Sequence, residues 1–310
     1  MIKPNLYYFR LSKECPEKPL DKFYIFDEKH KDLKKYISKT KEIKKFLITI
    51  KTLENSREKR EIIDKYYFKL QKSLNEYSNA SEFNAFVNAC DSYLKVVRED
   101  IKLLKEITKR YFEKRLLKEI APEEWIQAIL DSHASRKKGQ ARENKLLKIL
   151  EGEKYKIFKK GGKWSDFLKI KKAAAKFSSG KKSDFNISKV RKNLNIKMQT
   201  TKQNKILDLI IKNGNKFFIL EAKHINASGG AQDKQISELI EITSLKEKSE
   251  NMHYIVFLDG YKSNLILGDE IKSGGKLKQQ QKEILLNLKK NKNSFWLNTA
   301  GFSRLIKDLK

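Results

Sequence analysis

The sequence predicts an α/β protein with a mixed central sheet flanked by helices, joined to a mostly helical N-terminal domain. Residues 28–120 carry apolar side chains at helical spacing almost throughout. After residue 122, short apolar runs alternate with helical segments, and two of those runs flank an Asn-Gly pair, a strong signal for a β-hairpin. We therefore predict a helical domain over 1–121 and a second domain over 122–310.

In the first domain, residues 1–26 mix aromatic clusters with prolines and predict irregular chain with one short strand at most. From Asn79 the spacing predicts one long helix down to Lys118, whose outer face is rich in lysine and arginine. That face is typical of a solvated helix and leaves contact with DNA or a second subunit open. Ala121-Pro122 ends this helix, because a residue before proline disfavours helical backbone, and a helix over 123–131 follows.

The second domain is predicted to contain several further elements and one long insertion. The elements are helices over 140–150, 233–246, 277–289 and 302–309, and strands over 155–158, 252–258 and 295–298. The insertion, residues 159–205, holds fifteen lysines and arginines against two aspartates, with aromatic residues interleaved. Such a mixture suits phosphate contacts and base readout, although a flexible surface loop would have a similar composition. The candidate DNA-binding residues are Lys171, Lys172, Lys181, Lys182, Arg191, Lys192, Asn226, Ser228, Gln232 and Lys234.

The overall charge supports a polyanionic partner. Lysine and arginine number 69 against 39 aspartates and glutamates, a formal charge of +30, and cations on a surface displace counterions from nucleic acid. A lysine bias from an AT-rich genome is the alternative cause. Long apolar runs and a recognisable signal peptide are missing, and two distant cysteines and four scattered histidines favour neither disulfides nor a zinc site. We expect a soluble protein of a reducing compartment.

Two acidic residues interrupt the apolar runs of the hairpin, Ile206–Lys223: Asp208 in the first and Glu221 in the second, with Lys223 two positions later. If Asn213-Gly214 forms the turn, Asp208 lies opposite Ile219 and Glu221 is its diagonal neighbour. Since side chains repeat every second residue, the two acids and the lysine then share one face. A three-residue turn would separate them.

An acid-x-lysine triplet carries little information by itself, because seven others occur in this chain. Glu221-Ala222-Lys223 differs from them by closing an apolar strand, where ionisable groups are costly to bury unless they are paired or bind a metal. A simple ion pair of Lys223 with Asp208 or Glu221 is the alternative interpretation.

The succession of these elements resembles the PD-(D/E)xK nuclease superfamily and, within it, the type II restriction endonucleases. The matching order is a helix with Glu143, a strand, a strand with Asp208, a strand ending in Glu221-Ala222-Lys223, a helix with Gln235, and the strand 252–258. The resemblance covers about residues 135–260 and implies a restriction-endonuclease-like αβββαβ core. Leu207 departs from the family, which often has proline there.

The resemblance implies a sequence-specific, Mg²⁺-dependent endonuclease that hydrolyses double-stranded DNA as a homodimer in a prokaryotic cytoplasm, beside a companion DNA methyltransferase. The carboxylates of Asp208 and Glu221 and the carbonyl of Ala222 form an oxygen-rich site of the kind that Mg²⁺ takes. Lys223 would position or activate a water. Glu143 could complete a second metal site, and Gln235 could hold the phosphate or the metal's waters.

Two other functions remain compatible with the sequence. One keeps the fold and acts on DNA structure or ends, as a repair, recombination or mobile-element nuclease. The other is a non-catalytic basic DNA-binding protein in which the acids form structural ion pairs.

Overall fold

The computed structural model describes residues 2–19, 21–24, 29–115, 117–118, 120–132, 135–158, 162–198, 207–226, 229–268 and 275–309. The chain divides into two compact units. We call Met1–Ile25 with Arg136–Lys310 the sheet unit, and Phe26–Ser135 the helical unit. In the described ranges, no helix is both long and apolar enough to span a membrane.

The helices are α1 Asn5–Glu14, α2 Leu33–Asn55, α3 Arg60–Ser73, α4 Glu82–Ala89, α5 Leu94–Glu99, α6 Ile101–Lys114, α7 Glu123–Ser132, α8 Ser135–Gly152, α9 Trp164–Lys169, α10 Ile187–Leu194, α11 Gly230–Ser244, α12 Tyr261–Leu267, α13 Lys276–Lys290 and α14 Thr299–Asp308, with a 3₁₀ turn at Glu76–Ser78. The strands are β1 Lys156–Phe158, β2 Lys172–Lys176, β3 Leu209–Asn213, β4 Lys216–His224, β5 Met252–Asp259 and β6 Ser294–Leu297. This is the predicted α/β class.

The six strands form one mixed sheet in sequence order. β2, β3 and β4 pair antiparallel, whereas β1 pairs with β2, β4 with β5, and β5 with β6 in parallel. Strand β2, with the sequence KAAAK, lies inside the segment predicted to be an insertion. Its three alanines are fully buried, but alanine has low strand propensity, so the run gave no strand signal.

The hairpin between β3 and β4 has a two-residue turn, but one residue later than predicted. Asn213 pairs with Lys216, so the turn is Gly214-Asn215, with Gly214 at φ +58° as a type II′ turn requires. The predicted pairing of Asp208 with Ile219 is therefore wrong, since Ile219 pairs with Ile210. The pairing moved by two residues, an even number, so which residues share a face is unchanged.

Helices cover both faces of the sheet. On one face α11 and α13 bury the side chains of Ile219, Tyr254 and Trp296. On the other, α1, α8 and α14 bury Phe218 and Phe257. Because β4 and β5 are covered on both faces, their central runs, residues 217–220 and 254–258, are apolar without alternation, as in parallel strands of α/β proteins.

The N-terminal segment is helical and belongs to the sheet unit, which differs from the predicted irregular chain and from the predicted boundary of 1–121. Helix α1 packs on β6 and α14. The amide of buried Asn5 donates hydrogen bonds to the carbonyls of Leu288, Asn291 and Ser294 at 2.8–3.0 Å. These long-range bonds explain why α1 folds with the C-terminal part of the chain. At the other end, α7 falls in the helical unit.

The helical unit has its own core, and the long helix predicted from Asn79 to Lys118 is three helices, α4, α5 and α6. Ser81 caps α4 as its side chain accepts from the Asn84 N–H. The chain leaves helical geometry at Asp91, with φ +54°, before α5, and again at Asp100 after it, where the Asp100 carboxylate accepts from two N–H groups of α6. The apolar residues keep a helical spacing across these breaks because all three helices pack against the same core.

His253 on β5 is buried in the apolar core of the sheet unit and predicts a pH-dependent stability. Its ring stacks on Phe218 with centroids 4.6 Å apart, and neither ring nitrogen has a hydrogen-bond partner among the described residues. Burial, aided by the charge of Lys216, lowers the pKa of His253 to about 4. The unfolded chain therefore binds a proton at higher pH than the folded protein does, so stability falls as pH drops below 6.5.

We expect the wild type to lose about 2 kcal/mol more unfolding free energy than His253→Phe between pH 7 and pH 5. Urea titrations of both proteins at the two pH values measure this difference. Parallel losses in the two proteins would contradict it.

Candidate active site

The predicted acids meet where β4 ends and β3 begins. Asp208 immediately precedes β3, and its backbone N–H donates to the carbonyl of Leu220 at 3.0 Å. Since Leu209 pairs with Leu220, the next position along the hairpin sets Asp208 beside Glu221. Directly opposed residues share a face, and Lys223 lies two positions further along β4. The structure thus brings the three predicted residues together.

The carboxylate of Asp208 is fixed by two contacts. Its Oδ2 accepts a hydrogen bond from the Ala222 N–H at 2.7 Å, and its Oδ1 lies 3.4 Å from Nη2 of Arg142 on α8. A strand residue directs its N–H and C=O to the same side, so the carbonyl of Ala222 also faces the side of Asp208. Two carboxylates and one peptide carbonyl therefore border the same small region.

Glu221 and Lys223 form a close ion pair. Lys223 Nζ lies 2.7 Å from Glu221 Oε1. Glu221 is 1% exposed, whereas a quarter of the Lys223 side chain is exposed. The lysine thus links a buried carboxylate to the surface.

The environment of Asp208 disfavours its negative charge. Burial and the nearby charge of Glu221 raise its pKa from 3.8 to about 6, against the opposing effects of Arg142, the Ala222 N–H and Lys223. Two anions held this close in a partly dry site repel one another. A cation between them would relieve that repulsion.

The two secondary candidates make other contacts. Glu143 Oε2 is 2.6 Å from Nζ of Lys176 on β2, an ion pair at the surface. Gln235, on the second turn of α11, is half-buried and makes no side-chain hydrogen bond to any residue that the structure describes.

Arg142, which the sequence analysis did not single out, takes the place expected for Glu143 next to Asp208. Its side chain is 13% exposed, and within the described ranges its Nε has no hydrogen-bond partner. Arg142 stands four residues before buried Leu146, on the same stripe of α8. A positively charged residue on a helix face that otherwise points inward was the sequence signal that could have identified Arg142.

A second polar network lies on the opposite face of the same strand ends, and it was also not predicted. Asp259, at the end of β5, is fully buried and pairs in register with His224. Its carboxylate lies 2.9 Å from His224 Nδ1, 3.1 Å from Lys145 Nζ, and accepts from Tyr24 Oη at 2.5 Å. Burial lowers the pKa of Lys145, but the negative charges of Asp259 and Glu17 outweigh this effect, so that the pKa of Lys145 is raised overall.

This network ties α8 and the N-terminal segment to the ends of β4 and β5. The ring of Tyr24 stacks on His224 at 3.7 Å, and Lys145 Nζ lies 2.7 Å from Asp21. Lys145 and Arg142 are one turn apart on α8, so the network also fixes the helix that carries Arg142 to Asp208.

Four of the predicted DNA-binding residues lie on β2 or in the chain next to it, at opposite ends of the strand. Lys172 pairs with Asn213, so it and Lys171 lie at the turn end of the hairpin, away from Asp208. By contrast, the N–H of Phe177 donates to the carbonyl of Asp208 at 3.1 Å, so the loop with Lys181 and Lys182 starts at the site.

The remaining candidates lie on α10, on α11 or beside them. Lys192 and Lys234 are exposed, whereas Gln232 is half-buried. Arg191 donates to the carbonyl of Met198 at 2.6 Å, and Asn226 bridges the His224 ring and the Tyr261 N–H. Ser228 lies outside the described residues.

In the part of the chain that the structure describes, no group of three or more His, Cys, Asp or Glu side chains could hold a metal ion. A metal at the Asp208 site would thus have two carboxylates and a carbonyl as protein ligands. No family model matches the chain, and neither the curated proteins nor the solved structures provide a match.

Proposed function

We propose that this protein is a Mg²⁺-dependent endonuclease that cuts double-stranded DNA at a specific sequence, as type II restriction enzymes do. The observation that carries the proposal is the pairing of Asp208 with Glu221 on one face, with the Ala222 peptide held between them and Lys223 alongside. A homodimer and a companion methyltransferase belong to the same proposal.

The donor atoms fit Mg²⁺. The ion prefers oxygen ligands and keeps several of its waters, so two carboxylates and one carbonyl are a sufficient protein contribution. The raised pKa of Asp208 supports this assignment, because a divalent cation would offset the repulsion between the carboxylates. When bound, Mg²⁺ polarises a phosphate oxygen and lowers the pKa of a coordinated water.

Lys223 is suited to act on the scissile phosphate. Its partly exposed ammonium group is held at Glu221, so it is oriented before the substrate arrives. From there it can donate a hydrogen bond to a phosphate oxygen as negative charge develops. Arg142 adds a second cation beside Asp208 and holds that carboxylate in place.

The basic segments that begin near the site provide the surface for the DNA backbone. The loop that leaves β2 beside Asp208 carries Lys181 and Lys182, both exposed. The N-terminal end of α11 presents backbone N–H groups, and Lys234 follows in the next turn; both favour a phosphate. These cations contribute sequence-independent affinity.

Arg142 provides a pH test of the site. Its charge lowers the pKa of Asp208, so Arg142→Met raises that pKa above about 6. Protonation of a carboxylate competes with metal binding. At limiting Mg²⁺ and pH 6.5, we expect the variant to cut about tenfold more slowly than wild type and to recover near pH 9.

The measurement is the initial rate of DNA cleavage across pH. Arg304→Met, which breaks the surface ion pair with Asp308, is the matched control and should leave the profile unchanged. If the pH profile of Arg142→Met superimposed on that of the wild type, Arg142 would have no influence on the site.

Digestion of phage DNA by the purified protein tests the proposal as a whole. With Mg²⁺ we expect discrete bands, and none with EDTA. A smear would indicate a non-specific or structure-specific nuclease. Intact DNA with both Mg²⁺ and Mn²⁺ would contradict the enzymatic function.

A further inference from the structure

The helical unit contains a cavity of about 660 Å³, within the range of small-molecule sites. Trp125 of α7 and Ile120 line it and are each 66% exposed. An indole left this exposed is unusual in a folded unit, because an aromatic side chain normally buries most of its surface. The cavity therefore presents a flat apolar platform to solvent.

The rim of the cavity is strongly basic. Lys114, Arg115 and Lys118 line it and are exposed. Neither lysine forms an ion pair with any residue in the described ranges, and Arg115 rests on the ring of Phe86 at 5.3 Å. Three cations are therefore available to a ligand.

The acid that lines the cavity is already matched by a fourth cation. Glu82 Oε2 lies 3.5 Å from Lys44 Nζ, which also donates to the carbonyl of Ile120 at 2.6 Å. The net charge offered to a ligand is thus positive. A negatively charged, planar ligand matches both the rim and the platform.

We propose that this cavity binds an unstacked nucleotide of single-stranded nucleic acid, with the base on Trp125 and phosphates at Lys114, Arg115 and Lys118. An aromatic platform beside a cationic rim is the usual construction of single-strand sites. Bases inside a duplex are stacked on each other and cannot present a face to an indole. An acidic peptide would satisfy the cations but not the platform. The proposal does not depend on the nuclease function.

Binding of a fluorescent twelve-nucleotide oligothymidine to the full-length protein in EDTA tests this site. We expect Trp125→Ala to weaken binding by about tenfold and Trp125→Phe, which keeps an aromatic face, by less than about threefold. Phe68→Ala is the matched control, since Phe68 is another exposed aromatic residue of the helical unit, 52% exposed. It should leave the affinity unchanged.

Two further measurements separate stacking from nonspecific charge. Oligothymidine should quench tryptophan fluorescence in wild type but not in Trp125→Phe, although that variant still binds. Replacing Lys114 and Lys118 with alanine should reduce the slope of log affinity against log salt by about one. A uridine oligonucleotide compared with the thymidine probe identifies RNA or DNA as the preferred source.

Equal affinities for Trp125→Ala, Phe68→Ala and wild type would overturn the proposal. So would competition by polyglutamate as effective as by unlabelled oligothymidine, which would indicate an acidic protein partner. Oligothymidine binding that is kept in Lys223→Ala while cutting is lost would show that the two sites are separate.

Discussion

Lys223→Ala is expected to reduce DNA cleavage by about 10³-fold. The reason is local: the partly exposed ammonium group of Lys223 is held 2.7 Å from Glu221, where it can meet a phosphate, and alanine removes that charge. Duplex binding without divalent metal should change by less than about threefold, because under the proposed function many other lysines would share the contacts with the DNA backbone. Gel-based cleavage rates and anisotropy binding measure the two effects.

The chain offers a matched control for this substitution. Asp32-Leu33-Lys34 has the same acid-x-lysine spacing at the start of helix α2, and Lys34 is exposed. Lys34→Ala should cut at the wild-type rate. If Lys223→Ala also cut at that rate, the hairpin would not be the catalytic centre. If Lys223→Ala lost both cleavage and duplex binding, Lys223 would be a DNA-contact residue and not a catalytic one.

Asp208→Asn is expected to abolish cleavage and, without metal, to stabilise the fold by about 3 kcal/mol at pH 8. The pKa of Asp208 is raised from 3.8 to about 6, so the folded protein binds the proton more tightly than the unfolded chain. Stability therefore falls as pH rises through this window, and the ionised carboxylate destabilises the protein at pH 8. An amide removes that charge while keeping the shape of the side chain.

Thermal or urea unfolding checks this prediction in three ways. The difference between wild type and Asp208→Asn should shrink towards pH 4. Mg²⁺ should stabilise the wild type and not the variant, by mass action. Asp166→Asn, at an exposed pair with Lys169, should behave as wild type throughout. An Asp208→Asn protein less stable than wild type at pH 8 would mean that Asp208 is a structural ion-pair partner of Arg142.

Periodicity was sufficient to predict the fold class and the strands that carry the site. The apolar runs of β4 and β5 are buried on both faces, so their sequences are unambiguous. Helix α1 and strand β2 were missed for opposite reasons. Helix α1 is stabilised by contacts with residues almost 300 positions away, such as those of Asn5, which no local pattern reveals. Strand β2 is made of small residues whose burial depends on their neighbours.

The site was predictable to the extent that face alternation determined it. The prediction that Asp208, Glu221 and Lys223 share a face depended only on the alternation of side chains along the strands. A pairing error of two residues leaves that alternation unchanged. To predict that Arg142 lies beside Asp208, one must know which side of α8 faces the sheet. The inward-facing position of Leu146, four residues later, could have indicated that side. Asp259 closes an apolar strand as Glu221 does, yet its partners Tyr24 and Lys145 come from distant segments.

Sequencing the fragment ends of a plasmid of known sequence, digested with Mg²⁺ by wild type and by Lys223→Ala prepared in parallel, tests the central claim most directly. We predict that wild-type ends map to one short recognition sequence with a constant offset, and that the variant yields no such ends. Ends scattered over the plasmid, or the same ends from the variant, would contradict the assignment of the hairpin as a sequence-specific cutting centre.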